Sequence, residues 1–160
     1  MIKGVLLDTS FFIRLLNKKE TLHKNAIGYF RFFLDNETPL FMSTISIAEY
    51  CVKGDKTELP LKYLQILPFN MDHAEIAGKY ALILFQNKKV KNQLSPRPII
   101  VNDAKIFAQA HLVPEISHYV TADQRSRKIL SAIKKVTAAQ FDFIDIHNSY
   151  KEQLGELPFE

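Results

Sequence analysis

Cysteine is almost missing from this 160-residue chain, where Cys51 stands alone. A single thiol excludes an intramolecular disulfide and any metal site built from several thiolates, so a metal here must be held by oxygen or imidazole. Paired imidazoles are missing as well. The five histidines, at 23, 73, 111, 118 and 147, never fall at the four-residue spacing that sets two rings on one helical face, which argues against zinc. No apolar run is long enough to cross a bilayer, and Met1-Ile2-Lys3-Gly4 lacks the apolar core and cleavage site of a secretory signal. A cytoplasmic protein with no membrane partner is expected. There is no internal repeat and no glycine-rich phosphate loop, which sets aside nucleotide binding by a Walker or dinucleotide turn. Charge of one sign is also scarce. The 21 basic and 17 acidic residues leave a net charge of +4, compatible with a polyanionic partner without requiring one.

What is present is a chain with 47% apolar residues, enough to bury one core, so residues 1–160 are expected to form a single domain. Gly4 to Leu7 is a short apolar run stopped by Asp8-Thr9-Ser10, after which Phe11, Phe12, Leu15 and Leu16 recur at helical spacing. A buried strand feeding a helix is implied. A second helical stripe runs from Thr21 to Asn36, and Pro39 marks the break before a strand at Leu40 to Ser43. A helix follows, then a short one up to Gln65, a strand from Ile66 to Phe69, and a long helix capped by Asp72. Residues 86 to 98 carry Lys88, Lys89, Lys91 and Arg97 with two prolines, the composition of an exposed basic loop. Asn102-Asp103 opens another helix, His118 to Thr121 reads as a strand, and Phe141 to Ile146 as a last one. Strands alternating with helices imply an α/β protein, a three-layer α/β/α sandwich around a mostly parallel sheet of four to five strands. Ligand sites in such sheets lie beyond the carboxyl ends of the strands, where Asp8 and Asp123 fall.

Each acid also has a plainer explanation. Asp8, Asp103 and Asp123 stand at strand-to-helix junctions, where an aspartate is commonly an N-cap. Glu49 is the one charge among Ile45, Ile47, Ala48, Tyr50 and Cys51, a place where an ion pair or a solvent-facing helix edge would otherwise account for it. Four acids at strand ends or on an inward face are harder to explain one by one. Crowded carboxylates repel and raise one another's pKa unless a cation neutralises them, and Mg²⁺ or Mn²⁺ prefers such oxygen ligands. Ions held this way support in-line hydrolysis of a phosphodiester with no nucleophilic side chain.

Leu6-Leu7-Asp8-Thr9-Ser10-Phe11, Ser43-Thr44-Ile45-Ser46-Ile47-Ala48-Glu49-Tyr50, Asn102-Asp103-Ala104-Lys105-Ile106-Phe107-Ala108-Gln109-Ala110 and Val120-Thr121-Ala122-Asp123 resemble, in order, the four motifs of PIN domains. The resemblance spans nearly the whole chain, and the length is similar to that of the VapC-like PIN toxins of prokaryotic toxin–antitoxin pairs. It implies a Mg²⁺- or Mn²⁺-dependent endoribonuclease, a homodimer, and inhibition by a small antitoxin protein. On that resemblance Asp8 is the central metal ligand, Asp103 and Asp123 complete the cluster, and Glu49 binds the metal or holds one of its waters. Thr9, Ser10 and Thr121 match polar positions that bond the carboxylates. The chain departs from the family after Asp123, where Gln124-Arg125-Ser126-Arg127 replaces the usual run ending in an acid and Phe.

Arg125, Arg127 and Lys128 follow directly on that last acid and are candidate contacts to RNA phosphates, with a solvated helix face as the alternative. Most aromatics recur at helical spacing, which suits a core or a dimer interface better than base stacking. A phosphatase forming an aspartyl phosphate would need a second Asp at position 10, where Ser stands. A receiver domain would need an acidic pair where Ile2-Lys3 lies. The remaining rival to a nuclease is a catalytically silent PIN-like module that binds nucleic acid or protein.

Overall fold

The computed structural model describes residues 2–87 and 101–155. Lys88, Lys89, Lys91 and Arg97 of the basic stretch lie outside the described residues. The chain opens with β1 (Val5–Leu7), α1 (Thr9–Leu16) and α2 (His23–Asp35). β2 (Leu40–Ser43) and α3 (Thr44–Tyr50) follow, then two single 3-10 turns and β3 (Leu64–Leu67). The second half holds α4 (Met71–Gln86), α5 (Asn102–Leu112), β4 (His118–Thr121), α6 (Gln124–Lys134), β5 (Asp142–Asp145) and α7 (Tyr150–Leu154).

The five strands form one parallel sheet in the order β3-β2-β1-β4-β5. β1 is therefore central. The chain first steps outward through β2 and β3, then crosses back to place β4 on the other side of β1. Asp8 follows β1 and Asp123 follows β4, so these two acids flank the point where the strand order reverses.

Alternating side chains of these strands enter two cores. Leu6, Phe41 and Tyr119 pack beneath Tyr80 and Leu84 of α4, Phe107 of α5 and Ile133 of α6. Val5, Leu7, Met42 and Val120 pack beneath Phe11 and Phe12 of α1 and Tyr29 and Phe33 of α2. Helices thus cover both faces, giving the three-layer α/β/α architecture. The aromatic stripe of α2 is used within the chain: Phe32 packs on Tyr150 at 5.5 Å between centroids, and Phe30 on Tyr63 at 5.9 Å.

Two local details differ from the sequence reading. β3 begins at Leu64, two residues before the Ile66 start, because its register is set by pairing with β2, Leu40 opposite Leu64 and Ser43 opposite Leu67. The cap of α4 is Asn70, not Asp72: Asn70 Oδ1 accepts from His73 N at 3.0 Å while His73 Nδ1 accepts from Asn70 N at 3.1 Å. Asp72 lies in the first turn, still at the favourable end of the helix dipole.

Phe107 ties α5, and with it Asp103, to the sheet. Its ring meets Tyr119 edge-on at 4.9 Å and Phe141 at 5.7 Å, with no surface exposed. Phe107→Ala is expected to lower unfolding free energy by about 3–5 kcal/mol, read as a reduced urea midpoint with an unchanged slope.

A carboxylate cleft at the strand ends

Asp8, Glu49, Asp103 and Asp123 line one cleft of about 1040 Å³ at the carboxyl edge of the sheet. Three of the four arrive there through helix N-termini. Asp8 is the N-cap of α1, accepting from Ser10 N at 3.4 Å, and Asp123 the N-cap of α6, accepting from Arg125 N at 2.8 Å. The plain capping role therefore holds for these two alongside their place in the cleft. It does not hold for Asp103, which lies inside the first turn of α5 behind Val101. The positive ends of three helices thus offset part of the crowded negative charge. Glu49 sits in the last turn of α3, the unfavourable end for an anion, and is compensated by side chains instead.

Asp8 is only 6% exposed. Its Oδ2 accepts from Ser10 Oγ at 2.7 Å and Thr121 Oγ1 at 2.8 Å. Both hydroxyl oxygens accept backbone N–H groups in turn, from Ala122 to Ser10 and from Asp123 to Thr121, each at 2.9 Å. Those bonds aim the hydroxyl hydrogens at Asp8. Glu49 is held at both oxygens, by Thr9 Oγ1 on Oε2 and Asn102 Nδ2 on Oε1, each at 2.6 Å. Asp103 accepts from Ser126 Oγ on Oδ1 at 2.9 Å. Among the described residues, no donor reaches Asp8 Oδ1 or Asp103 Oδ2.

The sequence-named polar residues Thr9, Ser10 and Thr121 therefore all touch carboxylates of the cleft. Asn102 and Ser126 do so too and were missed, since an amide beside Asp103 and a hydroxyl three residues after Asp123 give no signal until the helices converge. Arg125 lines the cleft and grips Asp123, with Nη2 at 3.0 Å from Oδ2. Arg127 and Lys128 are exposed on α6 and are not among the lining residues. Lys53 and Lys105 line the cleft, although their sequence surroundings did not single them out.

Electrostatics separate the two aspartates beside Asp8. Burial pushes the Asp103 carboxyl up to about 6; the Ser126 hydrogen bond opposes this, and repulsion from Asp8, Asp123 and Glu49 adds to it. Burial also acts upward on Asp123, but hydrogen bonds and charge from Arg125 outweigh it and hold that carboxyl below its ordinary value. Among the described residues, no three acidic, histidine or cysteine side chains close up into a ready coordination shell. Asp123 is turned to Arg125, and Glu49 has both oxygens engaged. The donor set nonetheless fits a hard divalent cation: only oxygens are offered, two carboxylates keep one oxygen free, and their repulsion is what a cation would relieve.

Because the folded state holds the Asp103 proton more tightly than the unfolded chain, stability falls as pH rises from about 4 to 6, and the full penalty remains above that range. Asp103→Asn keeps an acceptor for Ser126 and removes the charge. At pH 7.5 without divalent ions it is expected to be more stable than the parent by at most about 3 kcal/mol, the linkage equivalent of a carboxyl raised to about 6. By pH 4 the difference should vanish, as followed by thermal unfolding in EDTA.

Comparison with known proteins places this geometry. No curated protein matches the chain in sequence. Several solved structures resemble it, three of which follow. The sarcin–ricin-loop-cleaving toxin VapC20 of Mycobacterium tuberculosis superposes with a TM-score of 0.53 at 16% identity, over 78% of this chain and 94% of that one. DNA-bound VapBC of Salmonella typhimurium gives 0.55 at 17%, over 89% and 98%. VapBC2 of Rickettsia felis, bound to a promoter DNA fragment, gives 0.58 at 16%, over 88% and 97%. At such identities the likeness concerns the fold. The PIN domain family matches residues 5–130, from the first residue of β1 into α6, a span that contains all four acids; the chain belongs to the PIN domain family.

Proposed function

We propose that this protein is a divalent-metal-dependent endoribonuclease, the toxin of a toxin–antitoxin pair, working as a homodimer and restrained by a small antitoxin. The observation that carries the reading is the pair of carboxylate oxygens, Asp8 Oδ1 and Asp103 Oδ2, that no donor reaches among the described residues, in one cleft where Glu49 and Asp123 are already engaged by side chains. VapC20, a toxin that cleaves the sarcin–ricin loop, and the two VapBC structures support the toxin–antitoxin assignment by fold.

Asp8 and Asp103 would hold Mg²⁺ or Mn²⁺, with Glu49 and Asp123 as further ligands. Bound there, the ion supplies Lewis acidity that activates water and offsets phosphate charge. Ser10 and Thr121 fix the Asp8 carboxylate, Thr9 and Asn102 fix Glu49, and Ser126 fixes Asp103. Such preorganisation keeps the reacting groups aligned. The rival reading, a silent binding module, draws on the Arg125 grip on Asp123. That pair is largely exposed, and exposed ion pairs contribute only about 0–1 kcal/mol, too little to keep a divalent ion from the site.

For the RNA backbone we propose Lys53 and Lys105 as the phosphate contacts, with Arg125 beside them. Lys53 stands one helical turn beyond Glu49, and its ammonium has no hydrogen-bond or ion-pair partner among the described residues. Lys105 also lines the cleft, its Nζ donating to Asn102 Oδ1 at 3.2 Å.

Cleavage of a mixed RNA pool should require Mg²⁺ or Mn²⁺ and stop in EDTA. Asp8→Asn should lower it more than about 100-fold, since even groups behind a metal ligand cost about 10–100-fold. No cleavage together with no divalent-ion binding would instead favour the silent module. Single-stranded RNA binding, measured in the Asp8→Asn background, should lose about 0.7 of its log–log salt slope for each phosphate contact removed. Lys53→Ala and Lys105→Ala are each expected to show that loss, and Arg127→Ala is expected to leave the slope unchanged.

A further inference from the structure

Tyr119 lies in β4 opposite Leu6 and has no exposed surface. Its ring is fixed from two sides, edge-on against Phe107 at 4.9 Å and tilted against Phe143 at 6.2 Å. Its hydroxyl is buried with no hydrogen-bond partner among the described residues. A hydroxyl left so is destabilising, and phenylalanine would fill nearly the same volume without that cost.

The groups that act on this oxygen are the Asp8 and Asp103 carboxylates and the Ser126 hydroxyl. Asp8 and Asp103 line the carboxylate cleft; Tyr119 faces the same core as Leu6, two residues before Asp8, and its ring packs on Phe107, one helical turn after Asp103. Ser126 is already committed to Asp103 Oδ1, and Asp8 Oδ2 already takes two hydroxyls. The phenol is therefore a buried donor on the side of the sheet that carries Asp8 and Asp103, with no hydrogen bond of its own among the described residues.

We propose that Tyr119 is a positioning residue for the divalent-ion site, its hydroxyl donating to the Asp8–Asp103 pair when those carboxylates turn toward an ion. This inference rests on the metal-site reading above. A carboxylate that gives one oxygen to a cation is oriented by the donors on its other oxygen. Tyr119 can supply such a bond without adding negative charge, since a fully buried phenol is neutral. A donor unsatisfied without the ion and satisfied with it contributes to the loaded state alone. Its removal should then weaken ion affinity without weakening the fold.

The test is Tyr119→Phe in the full chain. Urea midpoints in EDTA are expected to equal or exceed the parent's. Mn²⁺ affinity, read from the free-ion electron paramagnetic resonance signal, should fall about tenfold. The near-ultraviolet tyrosine difference spectrum induced by Mg²⁺ should shrink in parallel. An unchanged Mn²⁺ affinity would overturn the inference and leave the metal site standing. So would a drop in the EDTA midpoint matching the loss of affinity, which would make the hydroxyl merely structural. A parent protein that binds no Mn²⁺ at millimolar concentration would overturn the metal site itself, and this role with it.

Discussion

Asp8 is a carboxylate almost out of reach of water, just past the end of the central strand, with two hydroxyls and a backbone N–H on one oxygen and, among the described residues, no donor on the other. Burying a carboxylate is tolerable only where donors replace its hydration. Here the donors come from α1 through Ser10 and from β4 through Thr121, and each hydroxyl is itself oriented by a backbone N–H of the turn into α6. The β1–β4 pairing, the start of α1 and the start of α6 are therefore fixed by the solvation of one side chain. Any shift in their relative positions would break bonds to a buried charge.

The other acids extend the same constraint. Asp103 is brought beside Asp8 by the packing of Phe107 under α5, and both are anions in a small space. Helix N-termini supply partial positive charge at Asp8, Asp103 and Asp123. That compensation is incomplete, as the raised Asp103 carboxyl records. Asp123 differs because Arg125 lies within reach and lowers its affinity for a proton. The cleft thus holds one strained acid, one ion-paired acid and two whose hydrogen bonds are set by neighbouring side chains. A cation answers the strain at Asp103 more directly than any further hydrogen bond would.

Much of this was legible in the sequence because it depends on local signals. β2 and β4 fall where their apolar runs lie, bounded by Pro39 on one side and the Ala122-Asp123 turn on the other. Glu49 was visible as a charge out of keeping with its neighbours. β3 was placed late because Ile66 to Phe69 is the more apolar window, whereas parallel pairing with β2, a long-range property, decides the register. Asp72 reads as the cap of α4 in the sequence because the reciprocal bonding of Asn70 and His73 is invisible without coordinates. Asn102, Ser126, Lys53, Lys105 and Tyr119 gained significance only through convergence. Each looks ordinary in its own segment, and its meaning comes from the element opposite.

Crystals grown with Mn²⁺ at pH 7.5 and measured for manganese anomalous scattering test the central claim most directly. The account predicts an anomalous peak within coordination distance of Asp8 Oδ1 and Asp103 Oδ2, with Ser10, Thr121 and Ser126 still on the opposite oxygens. Full-occupancy protein density with no peak in the cleft, or a peak bound only by Asp123 on the surface, would contradict it.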